Sequence, residues 1–135
     1  MLTLADARAV VDGVLAAGAE RDWPPLAAAV VDPTGEVQAL ARADGGRPMT
    51  SRIAVGKART VLVSGMPSGD SEQLPDGIVS AVRVLYGGDY VSRAGGLPIV
   101  RDGLVVGAVG VSGATSDQDE EAATLALTEV FGPSS

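Results

Sequence analysis

Two charged side chains stand where a folded chain could use them for chemistry. Asp44 follows a predicted strand and precedes Gly45-Gly46, in a bend where its carboxylate can face a cavity and act as a general base. Lys57 lies among mostly apolar residues of a predicted helix, where it can bind a carboxylate or form a Schiff base. Each has a structural alternative, since Asp44 can cap the next helix or close a turn and Lys57 can pair with Asp44 or another acid. Both readings stay open from the residues alone.

Two glycine-rich segments could bring backbone close to a ligand. Gly95-Gly96-Leu97-Pro98 offers backbone N–H groups that can bind an anion, although a bulge at the start of a strand is an equally good reading. The glycines at 107, 110 and 113 are spaced G-x-x-G-x-x-G, which differs from the dinucleotide-binding motif. Four acids open the helix that follows and would repel a pyrophosphate. These glycines therefore predict close packing against the final helix, and the acids predict a solvated helix start rather than a metal site.

Composition excludes several classes of site. The chain has neither cysteine nor histidine, so disulfides, thiolate catalysis, a serine–histidine triad and a histidine-ligated haem are all excluded. Its formal net charge is -7, which repels phosphate backbones and predicts no nucleic-acid partner. No basic n-region opens the sequence and no long apolar stretch could cross a bilayer. We expect a cytoplasmic protein with no membrane association.

The elements that must position these residues follow from periodicity and turn signals. The pattern predicts the order helix, hairpin, two helices, hairpin, helix, with Asp32-Pro33-Thr34-Gly35 and Arg101-Asp102-Gly103 as the hairpin turns. Ser116 is the expected cap of the last helix. Helices gathered on an antiparallel sheet make an α+β sandwich, and nothing in residues 1–135 indicates a domain boundary.

Four segments stand in an order that resembles the GlcG/HbpS family, which includes the C-terminal domain of PduO-type proteins. They begin at Arg42, Ala54, Gly95 and Gly107, and they read RADGG, AVGKART, GGLPI and GAVGVSGA followed by Asp117. The resemblance spans the chain from about Leu26 to the final helix. It departs from the family pattern at Ala43, where methionine is frequent, and at Gly46, where alanine is usual.

The resemblance implies a profilin-like or PAS-like sheet with helices packed on it, a homo-oligomer, and a small-molecule ligand of which haem is one kind. We predict ligand-binding residues at Arg42, Asp44, Lys57, Tyr90, Gly95, Gly96, Leu97 and Pro98. Only Tyr86, Tyr90 or a methionine such as Met49 or Met66 could ligate a haem iron axially in this chain.

Three functions stay open at this point. The first is a small-molecule-binding protein that holds haem or another largely apolar metabolite near Asp44, Lys57 and Gly95-Gly96. The second is a cofactor-independent isomerase, lyase or cyclase in which Asp44 is the base and Lys57 its electrostatic partner. The third is an oligomeric accessory protein.

Overall fold

In the part of the chain that the structure describes, four strands form one antiparallel sheet in the order β2–β1–β4–β3. The strands are β1 (Ala27–Val31), β2 (Val37–Arg42), β3 (Gly96–Arg101) and β4 (Leu104–Ser112). Each predicted hairpin supplies two neighbouring strands, and the pairing of β1 with β4 joins the two hairpins at the centre of the sheet. The computed structural model describes residues 1–133.

Within residues 1–133 four α-helices complete the fold, namely α1 (Leu4–Glu20), α2 (Pro48–Ser64), α3 (Asp76–Leu85) and α4 (Ser116–Phe131), with a short 3-10 helix at Asp70–Gln73. The Thr3 hydroxyl caps α1 by accepting a hydrogen bond from the Asp6 N–H at 3.0 Å. The cap of α4 is Thr115, which forms a capping box with Gln118, so the prediction of Ser116 was wrong by one residue. The α+β class and the predicted order of the principal helices and hairpins are confirmed.

Helices cover both faces of the sheet. On one face α1 packs against β1 and β2 and α4 packs against β3 and β4, whereas on the other face α2 packs against Ala29 and Val31. Every residue of β1 is therefore buried, which explains why its sequence is a continuous apolar run instead of an alternating one.

Gly110 sets the distance between the sheet and α2. A Cβ atom at this position would overlap the carbonyl oxygen of Ala54 and contact the backbone of Ala58. The predicted close approach is confirmed, but its partner is α2 and not the final helix, because Gly110 faces the opposite side of the sheet from α4. This contact brings the middle of α2, and with it Lys57, against the end of β4.

The helix α3 leaves its apolar side chains largely in solvent. Val79 is buried, whereas Ile78, Val84 and Leu85 are 51%, 83% and 77% exposed. Among the described residues, no helix is both long and apolar enough to cross a membrane.

Candidate functional site

Lys57 is buried and forms an ion pair that crosses the end of the sheet. Its Nζ atom donates to Asp119 Oδ2 at 3.0 Å and to the carbonyl oxygen of Val111 at 2.9 Å. Both side chains of the pair are only 4% exposed. The pair connects α2 on one face, the last residues of β4 and the first turn of α4, so it holds three elements at one point.

Asp119 is the acid that the sequence prediction placed in a solvated helix start. Burial raises the pKa of the Asp119 carboxyl group, and the neighbouring Lys57 ammonium group partly offsets that rise. The second carboxylate oxygen accepts a hydrogen bond from the Ala114 N–H at 3.0 Å. Asp119 is therefore fully engaged within the protein, as a buried carboxylate must be to stay ionised.

Gly95 and Gly96 lie directly against Lys57. A Cβ atom on Gly95 would clash with the Lys57 side chain, and one on Gly96 would clash with the Lys57 carbonyl oxygen. The Gly96 N–H donates to Ser68 Oγ at 2.7 Å, and the Gly95 carbonyl oxygen accepts from the Val111 N–H at 2.9 Å. The glycines thus allow the strand to pass over the buried lysine.

The other predicted site residues lie apart from this cluster. Asp44 is exposed in the turn from Ala43 to Gly46, and the cap position of α2 is Arg47. Arg42 is also exposed, at the end of β2. Leu97 and Pro98 line a groove of about 720 Å³ between β3 and α4. The structure thus brings Lys57, Gly95 and Gly96 together and pairs Lys57 with Asp119 instead of Asp44. The roles predicted for these residues in ligand binding or catalysis stay predictions.

Tyr90 lies in the wall of a different groove, which we call the tyrosine groove. It has a volume of about 540 Å³, within the usual range of small-molecule sites. Its walls are the β1–β2 turn at 33–36, the second half of α2 and the segment that follows α3, with Arg59, Thr60, Leu62, Val63, Tyr86, Asp89 and Tyr90 as lining residues. Tyr90 is 3% exposed, and its buried hydroxyl group has no hydrogen-bond partner among the described residues.

Arg59 holds the three walls of the tyrosine groove together. Its Nε atom donates to the Gly35 carbonyl oxygen at 2.9 Å, and its Nη1 atom donates to Asp89 Oδ2 at 2.8 Å. Next to it, the Thr60 hydroxyl donates to the Gly56 carbonyl oxygen and accepts from the Val91 N–H. The groove therefore combines a guanidinium group, the half-exposed phenol of Tyr86 and an apolar wall formed by Leu62 and Val63.

Sequence reasoning selected Tyr90 but missed Arg59, Asp89 and Asp119. A helical position two residues from a buried one points to the other side of the helix, so the burial of Lys57 indicates that Arg59 faces outward. The signal for Asp119 was the apolar surrounding of Lys57, since a buried ammonium group requires an acid. Asp89 carried no comparable signal, because its pairing with Arg59 depends on how the chain returns after α3.

An antiparallel sheet of this order, covered by helices on both faces, defines a class of small α+β proteins with known relatives. The family model for the haem degrading protein HbpS-like family matches residues 2–128. Protein GlcG of Escherichia coli strain K12 is 34% identical over 108 residues, which are 76% of this chain and 78% of GlcG. The chain belongs to the HbpS-like family.

Two solved structures share the fold. The crystal structure of HbpS superposes with a TM-score of 0.82 at 28% identity, and the match covers 97% of this chain and 90% of HbpS. The crystal structure of a PduOC–haem complex superposes with a TM-score of 0.84 at 22% identity, covering 94% of this chain and 93% of that one. The predicted family is confirmed.

Proposed function

We propose that the chain is a small-molecule-binding protein whose ligand occupies the tyrosine groove. The observation that carries the proposal is a groove of about 540 Å³ whose wall presents the half-exposed phenol of Tyr86. Concave sites of this size, with a few polar groups in a mostly apolar wall, are where proteins usually bind small molecules. Arg59 and the apolar residues beside it supply the further contacts that a small molecule needs.

Haem is the ligand class that the relatives suggest, and the tyrosine groove can be tested for it residue by residue. Tyr86 is half exposed and lines the groove, so its phenol oxygen can approach an iron, whereas the Tyr90 oxygen is enclosed. Arg59 can hold a propionate group, and Leu62 and Val63 can contact the macrocycle. Neither Met49 nor Met66 lines the groove. The residues present fit haem, with Tyr86 as the residue that would hold the iron, and bound haem would supply a redox-active iron.

The test is a titration of the purified protein with haemin, followed by difference absorbance. We expect a change that saturates near one equivalent per subunit and is lost in Tyr86→Phe, because phenylalanine has no oxygen to bind iron. Asp44→Ala is the matched control, since Asp44 is exposed and lines none of the walls of the groove. A response that is lost in Asp44→Ala and retained in Tyr86→Phe would move the site to the end of β2 and overturn the proposed location.

We extend the proposal to a homo-oligomer in which α3 contacts a second copy of the chain. The support is the exposed apolar surface of Ile78, Val84 and Leu85, which is continuous in sequence with Tyr86 at the edge of the tyrosine groove. The cytoplasmic location stays a prediction from the sequence.

A further inference from the structure

Arg59 presents a guanidinium group whose hydrogen-bonding capacity is only partly used. A guanidinium group has five N–H donors arranged as a planar fork, which matches the two oxygens of a carboxylate. The described protein engages the Nε and Nη1 atoms of Arg59, through Gly35 and Asp89. The Arg59 side chain is about one-third exposed, so a molecule in the tyrosine groove can reach it.

The carboxylate that now contacts Arg59 is easy to displace. Asp89 is 55% exposed and makes its ion pair through one oxygen, Oδ2. Asp89 follows Gly87 and Gly88, both of which have a positive φ angle. Because glycine has no Cβ atom, the backbone before Asp89 can adopt other conformations without a steric clash. An exposed ion pair contributes little to stability, so a ligand that displaces Asp89 from Arg59 loses little binding free energy by breaking the pair.

We propose that the ligand of the tyrosine groove carries a carboxylate, which takes the place of Asp89 on Arg59; this inference rests on the groove being the binding site proposed above. The Tyr86 hydroxyl is the second donor available to it, since Tyr86 is half exposed, whereas the hydroxyl groups of Thr34 and Thr60 already donate within the protein. The remainder of the ligand lies against Leu62, Val63 and Tyr86. The ligand class is a small carboxylic acid with an apolar body, a description that includes a haem propionate edge.

Two acids line the groove, which provides a matched pair of variants. Asp89 contacts Arg59, whereas the exposed Glu36 makes no ion pair among the described residues. Asp89→Asn removes one negative charge and also frees Arg59, while Glu36→Gln removes one negative charge only. The difference in ligand affinity between these two variants separates the competition for Arg59 from the general effect of removing a negative charge.

The experiment uses benzoate as the probe and benzamide as its neutral counterpart. The chain has only two tyrosines, both of which line the groove, so fluorine NMR of protein labelled with meta-fluorotyrosine reports on the site with two signals. We expect benzoate to shift these signals saturably and to bind about tenfold more tightly than benzamide, because a charge-assisted hydrogen bond is the stronger kind. Asp89→Asn should tighten benzoate binding by about fivefold, the size of one exposed ion pair, and Glu36→Gln should change it by less than about twofold.

Two further variants assign the effect to Arg59. Arg59→Gln should abolish the preference for benzoate over benzamide, and Arg52→Gln, an exposed position on the same helix outside the groove, should leave it unchanged. Circular dichroism of each variant checks that the fold is intact, and Asp89→Asn provides a test that does not remove Arg59. Equal binding of the two probes would overturn the carboxylate inference and support the groove as a binding site. Failure of both probes overturns the inference as well, and the haemin titration then decides the proposed function separately.

Discussion

Lys57 belongs to one of the family motifs, and in the folded protein it forms a buried ion pair with Asp119. Its ammonium group contacts a carboxylate and a main-chain carbonyl oxygen, and Lys57 lines neither of the two grooves described above. A buried ion pair costs free energy to desolvate, so its benefit depends on both partners being present. We therefore assign Lys57 and Asp119 a role in joining α2, β4 and α4.

Substitution of Lys57 should be costly because it leaves Asp119 buried without its counter-charge. We expect Lys57→Met to lower the free energy of unfolding by about 3–5 kcal/mol, measured by urea denaturation at neutral pH. The double variant Lys57→Met/Asp119→Asn should lose less than the sum of the two single variants, because asparagine removes the unpaired charge and keeps an acceptor for the Ala114 N–H.

The control for this cycle is Arg52→Met, which changes an exposed position on the same helix and should alter stability by less than about 0.5 kcal/mol. Strict additivity of the two single variants would contradict the assignment, since it would mean that the two groups do not interact in the folded protein.

At the scale of elements, glycine decides how closely α2 approaches the sheet. We expect Gly110→Ala to destabilise the protein by about 3 kcal/mol, near the upper end for overpacking, because the added methyl group meets main-chain atoms of α2 that cannot rotate away. Gly77→Ala is the comparison, since Gly77 lies in α3 with open space around its α-carbon and should gain about 0.5–1 kcal/mol. Thermal unfolding of both variants measures the contrast, and a stable Gly110→Ala variant would show that α2 can shift.

The hairpins and helices could be predicted because their signals are local. The Asp32 carboxylate accepts hydrogen bonds from Thr34 and from the Glu36 N–H, so the turn between β1 and β2 is specified by a few neighbouring residues. The partner of Gly110 could not be predicted in the same way. Its spacing shows that some element lies close, but which face of the sheet meets α2 depends on the pairing of β1 with β4, residues far apart in sequence.

At the scale of the whole molecule, the candidate site is harder to predict than the fold because it is assembled from three distant segments. Tyr90 could be selected by its residue type, since the chain has no histidine or cysteine and few aromatic residues. Arg59 and Asp89 can be recognised as site residues only from their contact with each other and from the contact of Arg59 with the Gly35 carbonyl oxygen, and these contacts exist only in the folded chain. Residue types thus identify candidates for a site, whereas their grouping requires the tertiary structure.

The exposed apolar side of α3 is the proposed interface between two copies of the chain. Burial of Ile78, Val84 and Leu85 against a second copy would remove apolar surface from water, whereas the net charge of -7 on each copy opposes association. We expect the protein to sediment as an oligomer in analytical ultracentrifugation, and more completely as added salt screens the repulsion. Leu85→Gln should shift the distribution toward the monomer.

Leu104→Gln is the matched control for this measurement, because Leu104 is 69% exposed and begins β4, outside α3. It removes the same side chain from the surface and should leave the oligomer intact. If Leu104→Gln dissociates the oligomer and Leu85→Gln does not, the interface involves the β3–β4 turn instead of α3. A wild-type chain that stays monomeric at every concentration and salt level would leave α3 without a second copy and would overturn the proposed assembly.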